Sequence, residues 1–378
     1  MLALPFVALL YLHRGAGALA LVGLAETVPG FFAGLFAGVW VDRLPYRRVI
    51  VATNAIRFGL VGLVPVLAWA HALTMAWLVV IAALTGLTSS FYAPAYRAIL
   101  PSLVAHDELT SANSIIEGAN AAAEVLAFAS AGFLVQLLRA PTAMLIDALT
   151  FAVAALLAVG LPRTTVTTSP ADRSVMADLR EGLAAVHRHF ALRSLALAAG
   201  VQGIALGLLS TLILLHITTT LGYPTGAQGI VYAVGGAMSI GGAALAPTVI
   251  RGMGLGRATV VGMAIFTTSL LFVVWAPGPS AAGYSMLTAQ QVFGDLALTV
   301  ATVASVSIRQ RVAPSRVRGR VESTLGTASI FGRVIGMALG GWFGAPTRLG
   351  STGGLGLAVG VSALSVVLMA PLWRFGPQ

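Results

Sequence analysis

The sequence predicts an all-α integral membrane protein: two six-helix bundles, about twelve helices, the first of them truncated. Three observations carry that expectation. Apolar residues make up 58% of the 378 residues and charged residues 9%, against roughly 45–50% and about 25% in soluble domains, whose surface needs that charge. The mean hydropathy is +0.92. The net charge of +10 comes from 22 basic residues, all of them arginine, set in short clusters between apolar stretches. Stretches of about 20 apolar residues are the length that ~30 Å of hydrocarbon demands of a helix. The same figures exclude a disordered chain. The absence of cysteine excludes thiol catalysis, disulfides and thiolate metal centres.

Read in order, the spans fall at 18–41, 49–70, 74–95, 113–137, 142–162, 193–219, 227–249, 257–276, 281–307, 322–345 and 352–372. The opening stretch, Met1 to Leu12, is apolar but covers only about 18 Å as a helix. It has neither the basic start nor the small-residue cleavage site of a signal peptide. It is expected to be the outer half of a first helix whose upstream half is not in this sequence. Between about Pro162 and Arg193 lies the longest connection. Its Thr/Ser/Pro-rich first part is a linker. Its second part sets Val175, Leu179, Leu183, Val186 and Phe190 at helical spacing, which predicts an amphipathic helix on the membrane surface. The expected organisation is an N-terminal bundle over 1–162, a cytoplasmic linker over 163–192 and a C-terminal bundle over 193–378.

Arginine placement orients the chain. Seventeen arginines fall on one side, among them Arg43, Arg47, Arg48, Arg97, Arg309, Arg318 and Arg320. Three (Arg14, Arg139, Arg348) fall on the other, and Arg57 and Arg333 lie inside spans. The rich side is the cytoplasmic one, which places the long connection and the C-terminus inside. The two halves also echo each other in position. The loop after the second span, with Gly38, Asp42, Arg43, Pro45, Arg47 and Arg48, has a counterpart around Gly242, Pro247, Arg251 and Arg257. Arg97, Pro101 and Ser102 are matched by Arg309, Pro314 and Ser315.

The loop Gly38-xxx-Asp42-Arg43-xxx-Arg47-Arg48 resembles the signature between helices 2 and 3 of major facilitator superfamily transporters. "APAYRAILPSLVAHDELTSANS" (Ala93 to Ser114), "SIRQRVAPSRVRGRVEST" (Ser307 to Thr324), "AMLIDALTF" (Ala143 to Phe151) and "LREGLAAVHRH" (Leu179 to His189) are similar to the branch that contains enterobactin-type siderophore exporters and macrolide-efflux permeases. The resemblance covers almost the whole chain. It implies the major facilitator fold and export of an amphipathic small molecule, such as a drug or siderophore, driven by protons across a bacterial cytoplasmic membrane. It implies no cofactor and no nucleic-acid partner, with the bilayer, protons and the substrate as partners and a monomer as the working unit. One departure stands in the fifth helix. The segment Leu126 to Gly132 keeps its small residues but carries Phe128 where antiporters of this kind carry proline.

Candidate functional residues follow from the cost of charge in a membrane, which places ionisable groups against a cavity or a partner. Asp42, at the end of a helix beside Gly38, is suited to cap a neighbouring helix N-terminus as a gate latch. Arg43, Arg47 and Arg48 complete that motif, with Arg47 and Arg48 equally readable as orientation charges. Asp295 and Arg333 lie at matching depth, about 17–20 Å from the inner end of their spans. They are expected to pair, either as a working ion pair or as a static bridge. Glu26 and Glu124 have no partner at equal depth and are the leading proton-carrier candidates. Asp147 is a further one, or satisfies a helix end. Arg57 is the remaining buried charge, and Asn54, Gln202, Gln290, Gln291 and Phe293 are candidates to line a substrate cavity. Gln290 and Gln291, adjacent on one helix, cannot both face it. His216 is expected to be satisfied locally. Gly-rich runs inside spans read as packing contacts rather than phosphate cradles. The alternatives to proton-coupled export are uniport or import on the same fold, or a non-transporting membrane scaffold or sensor.

Overall fold

The computed structural model describes residues 3–41, 43–100, 103–105, 108–162, 175–314 and 317–374. Every regular element among them is helical. A short opening helix, α1 (Ala3–Phe6), runs on into a π-helical turn, Val7–Tyr11. It is followed by α2 (Ala16–Val41), α3 (Tyr46–Trp69), α4 (Met75–Ile99), α5 (Leu109–Leu138), α6 (Ala140–Val159) and the connecting helix α7 (Val175–Arg188). Then come α8 (Phe190–Leu215, extended by a π-helical turn His216–Thr220), α9 (Thr225–Met253) and α10 (Leu255–Trp275). One rod is built from α11 (Ala281–Ala289), a π-helical stretch Gln290–Asp295 and α12 (Leu296–Val312). α13 (Arg318–Phe343) and α14 (Gly350–Met369) complete the chain.

Ten helical stretches among the described residues are long and apolar enough to cross a membrane. The remaining expected span, at 322–345, is α13, which has the length, 26 residues, but carries Arg318, Arg320, Glu322 and Arg333. Leu156 and Leu157 are 72% and 73% exposed. In water that would be an anomaly; on a bundle solvated by lipid it is the outer face.

The chain divides into two compact units, residues 1–123 with 133–172, and residues 124–132 with 173–378. In the first, α2 packs on α4 and α3 on α6. The close approach of α2 and α4 rests on glycine: a Cβ on Gly86 would run into the Glu26 carbonyl, and one on Gly30 would meet the Gly86 carbonyl at 2.9 Å. Where no hydrophobic force separates helix from lipid, such contact is what holds helices together. Val41, Val49, Ile50, Ala95, Ile99 and Ala158 form a buried apolar cluster, with Phe91 and Tyr92 packed on it. The Tyr11 hydroxyl donates to the Ala68 carbonyl (3.1 Å) and ties the opening segment to the end of α3.

In the second unit α8 is the hub, packed on α13 and α14, while α10 and α9 pack on α12. Gly200, Gly203 and Gly207 of α8 face Gly332 and Gly336 of α13, backbone against backbone. The segment Glu124–Gly132 belongs to this unit: Gly132 lies against the backbone of Thr225 and Gly229, and Val125 against Gly236. Gly254, at φ +84°, allows α9 to turn directly into α10. The connecting helix α7 docks on α13 through the small residue Gly182, which sits against Thr324 and the Arg320 backbone. Glu181 pairs with Arg320 beside it. Val186 is buried and Leu183 stays exposed, so the apolar stripe read from the sequence divides between protein contact and an open face. Phe190 belongs to α8, whose first turn is capped by His189 Nδ1 accepting from the Ala191 amide (3.2 Å).

Candidate functional site

In the first unit the polar centre is built by four helices. Arg57 of α3 is only 7% exposed. Its guanidinium lies over the Tyr92 ring of α4 (4.9 Å to the centroid) and the Phe151 ring of α6 (5.7 Å), and its Nε donates a long bond to Thr88 Oγ1 (3.4 Å). Arg57 and Glu26 of α2 are within electrostatic range of each other. A rise-per-residue depth count separates these two, because it places Cα atoms and ignores the reach of an arginine side chain. The aromatic walls lower the cost of the cation through its attraction to the ring faces, and the carboxylate balances it.

Thr85, Thr88, Ser89 and Ser90 of α4 return their hydroxyls to carbonyls of their own helix. Asn54, one turn before Arg57, is buried and donates its amide to the Ile50 carbonyl (2.8 Å). Asp147 on α6 is half-buried, and its backbone carbonyl accepts from Thr150 Oγ1 (2.6 Å). Asp42 lies outside the described residues. Gly38 lies in α2 and Glu124 in α5, with their surroundings likewise outside the description. Arg43 and Arg48 are exposed and Arg47 is half-buried.

The second unit concentrates its polar groups in two places. The first is the π-helical stretch. Asp295 Oδ2 and Gln291 Nε2 both stand against Gly235 of α9, in space that a Cβ there would fill. Gln290 Nε2 and Ser269 Oγ of α10 crowd Gly294. Gln290 and Gln291 are both buried, directed to different neighbours, and Phe293 is exposed. Wide turns of this kind recur at functional sites, since they aim adjacent side chains in directions a regular helix does not. Arg333, on α13, is exposed.

The second place is a hydroxyl ladder along α14. Gln202 Oε1 of α8 accepts from Ser362 (3.1 Å) and Ser365 (2.8 Å), and Ser362 is bonded to Thr267 of α10 (2.7 Å). One end of the ladder is Ser351, bonded to His216 Nδ1 (3.0 Å) and Thr220 (2.7 Å). His216 is thus held through Nδ1, while its Nε2 is buried with no hydrogen-bond partner among the described residues, so the expected local satisfaction is only half met. Ser351, Ser362 and Ser365 escape a reading based on charge, but their spacing of eleven and three residues puts them on one helix face. Beyond the membrane spans, Tyr223 donates to the carbonyls of Pro277 (2.9 Å) and Gly278 (3.1 Å) and meets Tyr284 edge-on at 4.9 Å, clasping two loops. Arg309 and Glu322 pair at 2.8 Å.

Solved structures share this fold over nearly the full length of both chains. A mutant of the nucleoside transporter NupG superposes with a TM-score of 0.80 at 12% identity, covering 98% of this chain and 94% of that one. A bacterial homologue of the iron transporter ferroportin, in an inward-facing state, gives 0.76 at 19% identity with coverages of 98% and 94%. A bacterial metal transporter gives 0.69 at 18% identity, again over 98% and 94%. No curated protein matches by sequence. The profile of the Major Facilitator Superfamily matches residues 1–291. With that match over most of its length, and with a fold shared by these multi-pass transporters, the chain belongs to the Major Facilitator Superfamily.

Proposed function

We propose that this protein is a secondary active transporter of the bacterial cytoplasmic membrane that exports an amphipathic small molecule in exchange for protons. The observation that carries this reading is the charge pair set in the apolar first unit, Glu26 within electrostatic range of the buried Arg57. Such groups are costly in a membrane and are retained where they act on ions or cargo. Glu26 takes the role of proton acceptor, as a carboxylate set inside a membrane span within reach of a fixed cation. Arg57 supplies the charge that Glu26 balances in its ionised form. Alternating access follows from the two-repeat architecture, and Asp42 serves as the latch of the inner gate. The arginine-rich side, with the C-terminus, faces the cytoplasm.

The test is efflux from proteoliposomes loaded with a panel of dyes, antibiotics and siderophores, with and without an imposed proton gradient. Glu26→Gln should abolish the dependence of efflux on the gradient, and Asp42→Asn should slow flux while leaving folding intact. Gradient-driven efflux with an unchanged pH profile in Glu26→Gln overturns the coupling assignment. Uptake in place of efflux turns the reading to import, and flux indifferent to the gradient turns it to uniport.

A further inference from the structure

A cavity of about 330 Å³ lies in the first unit between α4 and α5, lined by Tyr92, Ala93, Tyr96, Arg97, Leu100, Ile116 and Asn120. Its walls follow from helix periodicity. Tyr92 and Tyr96 lie one turn apart on one face of α4, with Leu100 a further four residues on at its C-cap, and Ile116 and Asn120 lie one turn apart on α5. The Tyr92 and Tyr96 rings are stacked, centroids 5.6 Å apart and 17° from parallel, and together form an aromatic wall. Arg97 stands exposed in the last turn of α4.

Among the described residues that line the cavity, none is acidic. The Tyr92 and Tyr96 hydroxyls, the Asn120 amide and the Arg97 guanidinium have no hydrogen-bond partner among the described residues. The two arginines near this wall differ in their surroundings. Arg57, over the Tyr92 ring, has Glu26 within range and shares its charge with two aromatic faces. Arg97 has no such counter-charge among the described residues. The cavity therefore offers a flat apolar wall, two phenolic donors, an amide and one uncompensated guanidinium, in a volume at the lower end of those that hold drug-sized ligands, roughly 300–1,000 Å³.

We propose that this cavity binds a small planar organic anion, the ring lying against Tyr96 at the end of the Arg57–Tyr92–Tyr96 stack and the acidic group meeting Arg97. Guanidinium and carboxylate match in geometry and form the stronger, charge-assisted class of hydrogen bond. A cationic ligand is disfavoured by Arg97, and the cation-attracting face of Tyr92 is already engaged by Arg57. Resting on the transport reading above, the site assigns the cargo to the class of aromatic carboxylates and their relatives. An anionic lipid headgroup carries the same acidic chemistry, and the two sources are separated below.

The experiment uses the full chain in phosphatidylcholine nanodiscs and reads binding by the fluorescence of salicylate, with neutral salicylamide and cationic benzylamine as competitors. Salicylate should bind at least about tenfold more tightly than either competitor. Arg97→Gln should cost salicylate about tenfold, of the size of one charge-assisted contact, with little effect on salicylamide, and Arg97→Lys should restore part of it. Tyr96→Leu should weaken salicylate and salicylamide alike. Equal binding of salicylate and salicylamide, or salicylate affinity unchanged in Arg97→Gln, overturns the site. Nanodiscs doped with phosphatidylglycerol separate the sources: displacement of salicylate makes the resident anion a lipid headgroup, and unaltered binding makes it a free anion. Salicylate counterflow in proteoliposomes then tests the cargo assignment. Binding without flux of any compound removes the transport reading and leaves the site. Export of other cargo by a protein that does not bind salicylate removes the site and leaves the transport reading.

Discussion

Alanine at Gly207 should destabilise the protein, although alanine is the better helix former. A Cβ built on Gly207 stands 2.7 Å from the Met337 amide nitrogen and 2.8 Å from Gly336 Cα, with the Arg333 carbonyl closer still. Ordinary contacts to carbon lie near 3.5–4.0 Å. The obstacles are backbone atoms of α13, which cannot rotate away, so α8 and α13 must part by roughly 1 Å at this point. Overpacking of this kind costs about 1–3 kcal/mol, and the propensity gain of about 1 kcal/mol for replacing a helical glycine offsets only part of it. Gly241, Gly356 and Gly360 supply the control, because a Cβ at any of them meets nothing within 4 Å. The assay is thermal or SDS-induced unfolding of the purified protein in one detergent. Gly207→Ala should unfold at lower temperature or denaturant than wild type, Gly356→Ala at the same point or higher. If Gly207→Ala proves as stable as Gly356→Ala, the close approach of α8 and α13 is refuted.

Three further outcomes are expected. Gln202→Leu should lower stability by about 0.5–1.5 kcal/mol in the same unfolding assay, because it removes the acceptor that Ser362 and Ser365 share while leaving Ser365 its bond to the Ser362 carbonyl and Ser362 its bond to Thr267. Burial, and then the neighbouring Tyr284, pushes the Tyr223 hydroxyl above its ordinary range near 10. The clasp is therefore fully present below about pH 10 and is lost as the pH rises through the higher folded-state value. Unfolding scans between neutral and alkaline pH should show wild type losing stability at the alkaline end and Tyr223→Phe, weaker at neutral pH, losing less. Glu181→Gln should loosen α7 from α13 by no more than about 1 kcal/mol, the scale of a partly exposed pair, read as faster hydrogen exchange over Val175–Arg188.

The spans were legible in the sequence because a membrane imposes a length and forbids charge. The stretch expected at 142–162 is α6, Ala140–Val159, and that expected at 227–249 is α9, Thr225–Met253. Packing partners were harder to read. Glycine runs announced close contacts without saying which helices met, since Gly200, Gly203 and Gly207 have the spacing of any small-residue stripe. Charge drew attention to Arg57 and Glu26, but only the fold brought an arginine's length across to the neighbouring helix. The serine ladder on α14 carries no charge in sequence, and Arg97 beside Tyr92 and Tyr96 reads there as one orientation charge among many. Their meaning lies in periodicity combined with a neighbour that the sequence does not name.

The wide turn at Gln290–Asp295 has a consequence for the history of its rod. A stretch with five bonds' reach instead of four holds one residue more than the regular spiral needs. Removing any single residue there would restore the ordinary spiral and leave the flanking segments close to their present alignment, because the wide turn absorbs the added residue locally. Asp295 would then no longer share the notch at Gly235 with Gln291. The extra residue thus works like a shim in a shaft: it re-aims Gln290, Gln291 and Asp295 while the segments on either side keep their packing against α9 and α10. A lineage that gained it by a one-codon insertion would have acquired the re-aimed polar groups without moving the rest of the rod.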